Sequence, residues 1–164
     1  MSNKAKQAIN TFNEIKTVDV KALMPIELAC HAHPWTENTF TSCIGGRYFS
    51  EMLHDATEHA DIPKNSIVGF YVGEYVIGEA TLMNICVTPN QQGKGYGKLI
   101  LTQFLKQAKE KGATKIFLEV RAKNIAAQML YMNAGFIEID RRVGYYPSNT
   151  GFGYEDAIVM SLNC

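Results

Sequence analysis

The stretch at 90–100, NQQGKGYGKLI, places glycines at 93, 95 and 97 directly ahead of an apolar, helix-like run. Strand, glycine turn and helix N-terminus together make an anion cradle. The first N–H groups of a helix have no intrahelical acceptor and carry partial positive charge, so phosphate oxygens fit against them. Two phosphate motifs can be tested residue by residue. A Walker A loop needs glycine where Gln92 stands and serine or threonine where Leu99 stands. A dinucleotide fingerprint beginning at Gly93 needs glycine at Lys98. Neither fits, and the spacing that remains is Gln-x-x-Gly-x-Gly, carried by Gln92, Gly95 and Gly97. A second group of reactive side chains is CHAH at 30–33, with Cys43 beyond. Thiols and imidazoles bind metals, but no Cys-x-x-Cys or His-x-x-x-His pair follows, so the spacing matches no zinc template. No metal is expected.

The rest of the chain must hold these residues in place. At 164 residues it is long enough for one domain with a real core, after a polar tail over 1–12. Its formal net charge is zero, which gives no broad footprint for nucleic acid or an anionic membrane. No run approaches a membrane span, and 1–16 has no apolar signal segment. The four cysteines form no disulfide framework, so a reducing, cytoplasmic setting is expected.

Residues 18–34 read as a helix with Pro25 near its start or at an early break, and Thr36 begins a short helical segment ended by Gly45 and Gly46. RYFSEML at 47–53 reads as a strand. Two strands follow between Ser66 and Val87, with the reversal placed at Gly78-Glu79 and a bulge at Gly73. Residues 96–111 form an amphipathic helix, its stripe made by Leu101, Phe104, Leu105 and Ala108. KIFLEV at 115–120 is a strand, Asn124 caps a helix running to about Asn133, and FIEIDRRV and EDAIVMSL are the last strands. The order implies an α/β fold, a mixed central sheet flanked by helices.

The Gln-x-x-Gly-x-Gly turn after NICVTP resembles the acyl-CoA pyrophosphate loop of the GCN5-related N-acetyltransferase superfamily. LEVRAKNIAAQMLYMNAGF followed by RRVGYYPSNTGFGYEDAIVM is similar to the RimI group, the ribosomal-protein-alanine N-acetyltransferases. HPWTENTF at 33–40 resembles that group's early helix–loop segment, so three separated stretches agree in order. The resemblance implies transfer of acetyl from acetyl-CoA to the N-terminal alanine of small-subunit ribosomal protein eighteen. Other protein N-termini, lysines, a small amine, or a non-catalytic acetyl-CoA sensor stay open as alternatives.

Such a transfer needs a neutral amine, a stabilised oxyanion and a protonated leaving thiolate. The resemblance puts the general base at Glu119, which alternation sets on the strand face opposite Leu118 and Val120. It puts the general acid at Tyr131, a phenol able to protonate a thiolate of similar basicity. It assigns the pantetheine arm to Ile85, Cys86 and Val87, and the pyrophosphate to Gln92, Gly93, Lys94, Gly95, Tyr96, Gly97 and Lys98. Asn124 matches a further cofactor contact besides serving as a helix cap. Cys86, inside a strand with no neighbouring cation, is expected to be inert rather than acetylated. Trp35, Tyr145 and Tyr146 are candidate walls for the peptide, with Glu155 or Asp156 able to meet its cations. Arg141 and Arg142 read as a solvated strand end.

Overall fold

The computed structural model describes residues 10–56 and 66–164. Most of the expected polar tail lies outside those residues, but Thr11 and Phe12 do not belong to a tail: they open strand β1, Thr11–Glu14. The elements that follow are α1 (Val20–Cys30), α2 (Glu37–Ser42), β2 (Tyr48–Asp55), β3 (Ser66–Val76) and β4 (Glu79–Val87). Then come α3 (Tyr96–Glu110), β5 (Lys115–Arg121), α4 (Ile125–Asn133), β6 (Ile137–Pro147) and β7 (Tyr154–Asn163). The strands form one sheet in the order β1-β2-β3-β4-β5-β7-β6, antiparallel except for the β4–β5 pair. This is the expected mixed sheet. The parallel pair is joined by a crossover through α3, because parallel neighbours cannot be linked by a hairpin.

Helices cover both faces. On one side Ile100, Leu101, Phe104 and Ala108 of α3 pack on Leu82, Ile116, Leu118 and Met160, together with Tyr131 of α4. On the other, Leu23 of α1 and Phe40 of α2 pack on Met52, Phe70, Val72 and Cys86. The α3 stripe gains Ile100, while Leu105 lies at its partly buried edge. Thr36 caps α2 by accepting from Thr39 N–H at 3.1 Å.

Several boundaries differ from the sequence reading. Pro25 lies inside α1, which continues past it to Cys30. The helix stops there rather than near Pro34 because His31 turns extended. The hairpin reverses at Ile77-Gly78, one residue early, with both residues at positive φ (41° and 80°) as a two-residue hairpin turn requires.

The bulge matters most. Gly73 pairs with Leu82 but Val72 pairs with Asn84, so the surplus residue is Met83 on β4, opposite the expected Gly73. Gly73 is glycine for another reason: a Cβ there would lie 2.6 Å from Phe49 Cζ and 2.8 Å from Phe104 Cε2. One extra residue resets the alternation of a strand. Ala80 and Leu82 therefore face the α3 side, while Cys86 joins the α1 side.

Gly69 of β3 marks a similar close approach. A Cβ there would collide with the Cys86 carbonyl oxygen and come within 2.6 Å of Ile100 Cδ1. Gly69→Ala is expected to cost about 1–3 kcal/mol through overpacking. Urea unfolding should show a lower midpoint with an unchanged slope. An unchanged midpoint would mean that the strand yields freely at this position.

Candidate active site

β4 and β5 pair only from Glu79–Lys115 to Leu82–Leu118, and beyond that register the two strands part. The gap opens into a cleft of about 700 Å³. Ile85, Cys86 and Val87 form one wall and Glu119 and Arg121 the other. Leu130 and Tyr131 lie in its lining, as do Gln92, Gly93, Gly97 and Asn124. Glu27, His31 and Trp35 close it on the α1 side.

The glycine turn is shaped to receive a ligand. Gly93 and Gly95 have φ of 76° and 90°, and a Cβ on either would meet nothing within 4 Å. Glycine is thus required there for backbone conformation, and the flank is open. Gly95 caps α3 without any side-chain hydrogen bond, leaving the first helical N–H groups for an anion. Gln92 Nε2 donates to the Val87 carbonyl at 3.1 Å and ties the turn to the end of β4. Tyr96 does not reach the cleft; its hydroxyl donates to Asp55 Oδ2 at 2.5 Å, and burial beside that carboxylate pushes its pKa up to about 12. Lys94, whose Nζ donates to Gln91 Oε1 at 3.2 Å, Gly95 and Lys98 also lie outside the cleft lining, around the turn.

Glu119 faces the cleft, while Leu118 and Val120 are buried on the α3 side. Arg142 is exposed, as expected, but it lies within β6 and is ion-paired. Its Nη1 donates to Glu119 Oε1 at 3.1 Å, reaching across β7. The reach is set by register: Arg121, Ala157 and Arg142 are paired in line across three strands, and Ala157 is small enough to leave the path clear. Both partners are partly exposed, so the pair contributes at most about 1 kcal/mol and is easily exchanged for another cation.

Tyr131 is 5% exposed and packs edge-on against Phe136. Its hydroxyl has no hydrogen-bond partner among the described residues. Burial, then the nearby Cys86 and Tyr146, raise its pKa well above the ordinary phenol value. It therefore keeps its proton at neutral pH. Asn124 accepts from Ala127 N–H at 3.1 Å as the cap of α4 and also borders the cleft.

The expected peptide walls divide. Trp35 and Tyr146 line the cleft, whereas Tyr145 is half exposed outside it, its ring edge-on to Tyr146 and beneath Arg142. Tyr146 sits under the Arg121 guanidinium at 4.4 Å, and burial followed by the Glu119 charge raises its pKa. Glu155 is buried in the cleft lining; its Oε1 accepts from Arg121 Nη1 at 2.7 Å, while its Oε2 has no hydrogen-bond partner among the described residues. Asp156 is likewise engaged, with Arg141 and the Gly144 N–H.

The sequence model of the acetyltransferase (GNAT) family matches residues 20–136. The chain belongs to that family. As a GNAT member it is an acetyl-CoA-dependent N-acetyltransferase, and its sheet is the GNAT fold. It is 39% identical over 153 residues to the ribosomal protein bS18-alanine N-acetyltransferase of Haemophilus influenzae, covering 93% of this chain and 98% of the relative. To the enzyme of the same name from Escherichia coli it is 38% identical over 154 residues, 94% of this chain and 97% of the relative. The crystal structure of the Escherichia coli ribosomal-protein-S18-alanine N-acetyltransferase superposes with a TM-score of 0.82 over 94% of both chains. Arabidopsis thaliana NAA60 in complex with acetyl-CoA gives 0.82 at 18% identity over 94% of this chain and 98% of that one, a likeness of fold alone.

Two residues of the site escaped the motif reading: Glu27 in the cleft lining and Arg142, which reaches Glu119 from outside it. Glu27 falls on the buried stripe of α1 with Val20 and Leu23, and an acid on an apolar stripe is a signal that could have been noticed. Arg142 left no such signal, because its partner is fixed by the pairing of three strands.

Proposed function

We propose that this chain transfers acetyl from acetyl-CoA to the N-terminal alanine of a small-subunit ribosomal protein, the eighteenth. The amine attacks the thioester directly while both substrates are bound. The carrying observation is that one cleft joins the open β4 edge, the uncapped glycine turn, Glu119 and Tyr131. It does so in a chain 38–39% identical, over nearly its full length, to enzymes named for that alanine.

The geometry supports the following division of labour. Past Leu82 the β5 side of β4 has no strand partner, so its backbone at 85–87 can bond the amide-rich pantetheine arm as an added strand would. The Val87 carbonyl already accepts from Gln92 and Cys30, which leaves the other groups of that edge for the ligand. The N–H groups of the turn and of the start of α3, from Gln92 to Lys98, receive the pyrophosphate. A backbone N–H of the 85–87 strand steadies the oxyanion. Glu119 removes a proton from the incoming amine, directly or through a water, once the ammonium has replaced Arg142 as its partner. Tyr131 protonates the departing thiolate. Trp35 and Tyr146 flank the peptide's approach. No metal takes part in this transfer, nucleic acid is not a direct partner, and the setting is the cytoplasm.

The test is acetyl transfer to a synthetic peptide carrying the ribosomal protein's N-terminal sequence, with the modified nitrogen located by mass spectrometry. Acetylation of the α-amine, abolished when that amine is blocked, is the expected result. Modification of lysine alone, or of free small amines with the peptide untouched, would overturn the substrate assignment and leave the family unaffected.

A further inference from the structure

The cleft wall contains a set of side chains that acetyl transfer does not use. Glu27 of α1 is 1% exposed, yet among the described residues its carboxylate pairs with no lysine or arginine. It accepts from Trp35 N–H at 2.9 Å, Asn84 Nδ2 at 2.8 Å and Cys86 Sγ at 3.4 Å. His31, one helical turn on, brings Nε2 to 3.8 Å from Glu27 Oε2 and 3.1 Å from Cys86 Sγ. Three ligand types from α1 and β4 thus converge with edges of 3.1, 3.4 and 3.8 Å. Ligands of a tetrahedral Zn²⁺, with bonds of about 2.0–2.3 Å, lie about 3.3–3.6 Å apart. The triangle is already close to that size.

We propose that Glu27, His31 and Cys86 form a binding site for a borderline-soft divalent cation of the Zn²⁺ class. The Cys30 thiol is engaged elsewhere, donating to the Val87 carbonyl at 3.1 Å, so these three side chains supply the protein ligands. The charges balance: a dication, one carboxylate, one thiolate and a neutral imidazole sum to zero, which a buried site requires. Binding forms the metal–sulfur bond and releases the Cys86 proton to solvent. The carboxylate is oriented beforehand by Trp35 and Asn84, and ligation by Nε2 requires the His31 proton to sit on Nδ1. His31 also lies 3.0 Å from Asn84 Oδ1, the contact the imidazole would give up on binding. Entry is through the cleft, which these residues line. The third ligand comes from a strand 55 positions away from His31, which is why the spacing of CHAH gave no zinc template. Cys43 takes no part; it is buried at the end of α2 beside Ser42.

The site stands on these contacts alone. Its consequence rests on the acetyl-transfer reading: an ion held by Cys86 sits beside Ile85–Val87 and near Tyr131, so occupancy should slow transfer at least tenfold.

The full chain carrying Cys164→Ser, which removes the exposed thiol, should be titrated with Co²⁺. One equivalent should give a thiolate-to-metal charge-transfer band and tetrahedral visible bands, both displaced by Zn²⁺. Cys86→Ala should abolish the charge-transfer band, and His31→Gln, at a half-exposed position that leaves the fold intact, should weaken binding at least tenfold. No charge-transfer band, or one that persists in Cys86→Ala, would overturn the site and leave a hydrogen-bonded cluster. Unchanged turnover in the metal-loaded enzyme would overturn the inhibitory consequence. Because the spectra need no acetyl acceptor, failure of the transfer reading would leave them unchanged and can be told apart.

Discussion

Glu119→Gln lowers kcat/KM for the peptide by about 10²–10⁴-fold at neutral pH, the range lost with a general base. Glutamine keeps the length of the side chain and an oxygen for Arg142 Nη1, which donates at 3.1 Å in the parent. What it loses is the capacity to take a proton. The sign of the pH dependence separates this role from orientation. An N-terminal amine has a pKa of about 8, so below that value most of the amine is protonated and the base is needed. Above it the amine is neutral without help, and the deficit of the variant should shrink steadily as pH rises. Rates for both enzymes at saturating acetyl-CoA, followed from about pH 6.5 to about 9.5, decide the matter. A deficit constant across that range would reduce Glu119 to a residue that orients the amine.

Tyr131→Phe carries the second large effect, about 10²–10³-fold in kcat with little change in acetyl-CoA affinity. The ring packs against Phe136, and phenylalanine preserves that contact while removing only the hydroxyl. Because the hydroxyl has no partner among the described residues, its removal should leave the thermal midpoint nearly unchanged. Tyr131 is held protonated by burial first of all, so the parent should show no falling alkaline limb from this group up to the ordinary phenol pKa of about 10. An alkaline limb near pH 8 that vanishes in Tyr131→Phe would contradict that picture. Equal turnover by parent and variant would move the acid to another donor, water included.

Much of the frame was legible because each long element carries one dominant local signal. The α3 stripe repeats at helical spacing, Thr36 and Asn124 are caps that accept their expected N–H groups, and β5 alternates faithfully. β1 was missed because four residues with a single partly buried side chain offer no pattern; only pairing with β2 makes TFNE a strand. The bulge was sensed but set on the wrong strand. A glycine in a strand signals either a bulge or a close neighbour, and at Gly73 the neighbours are Phe49 and Phe104.

The site shows the same division. Residues close together in the chain, such as the glycine turn, could be grouped by spacing. Arg142 with Glu119, Arg121 with Glu155, and Glu27 with Cys86 each join different elements, and no periodicity reports which ones meet. Tyr145 and Tyr146 are adjacent and looked equivalent, yet successive strand residues face opposite ways and only Tyr146 lines the cleft.

Met83 gives β4 two halves in antiphase: the first half sends Ala80 and Leu82 toward α3, and the second sends Cys86 toward α1. The chain downstream is therefore counted in units of one. Losing or gaining a single residue between Met83 and Val87 would not shift the cleft wall along its axis; it would turn the wall over, exchanging the sulfur of Cys86 for the side chain of Ile85 or Val87. A single-residue insertion between β6 and β7, near the exposed residues 151–153, would lengthen a loop without changing the parity of either strand. Length variation in this protein is thus confined by parity as well as by burial, and the strand that forms the cleft wall is where it is least free.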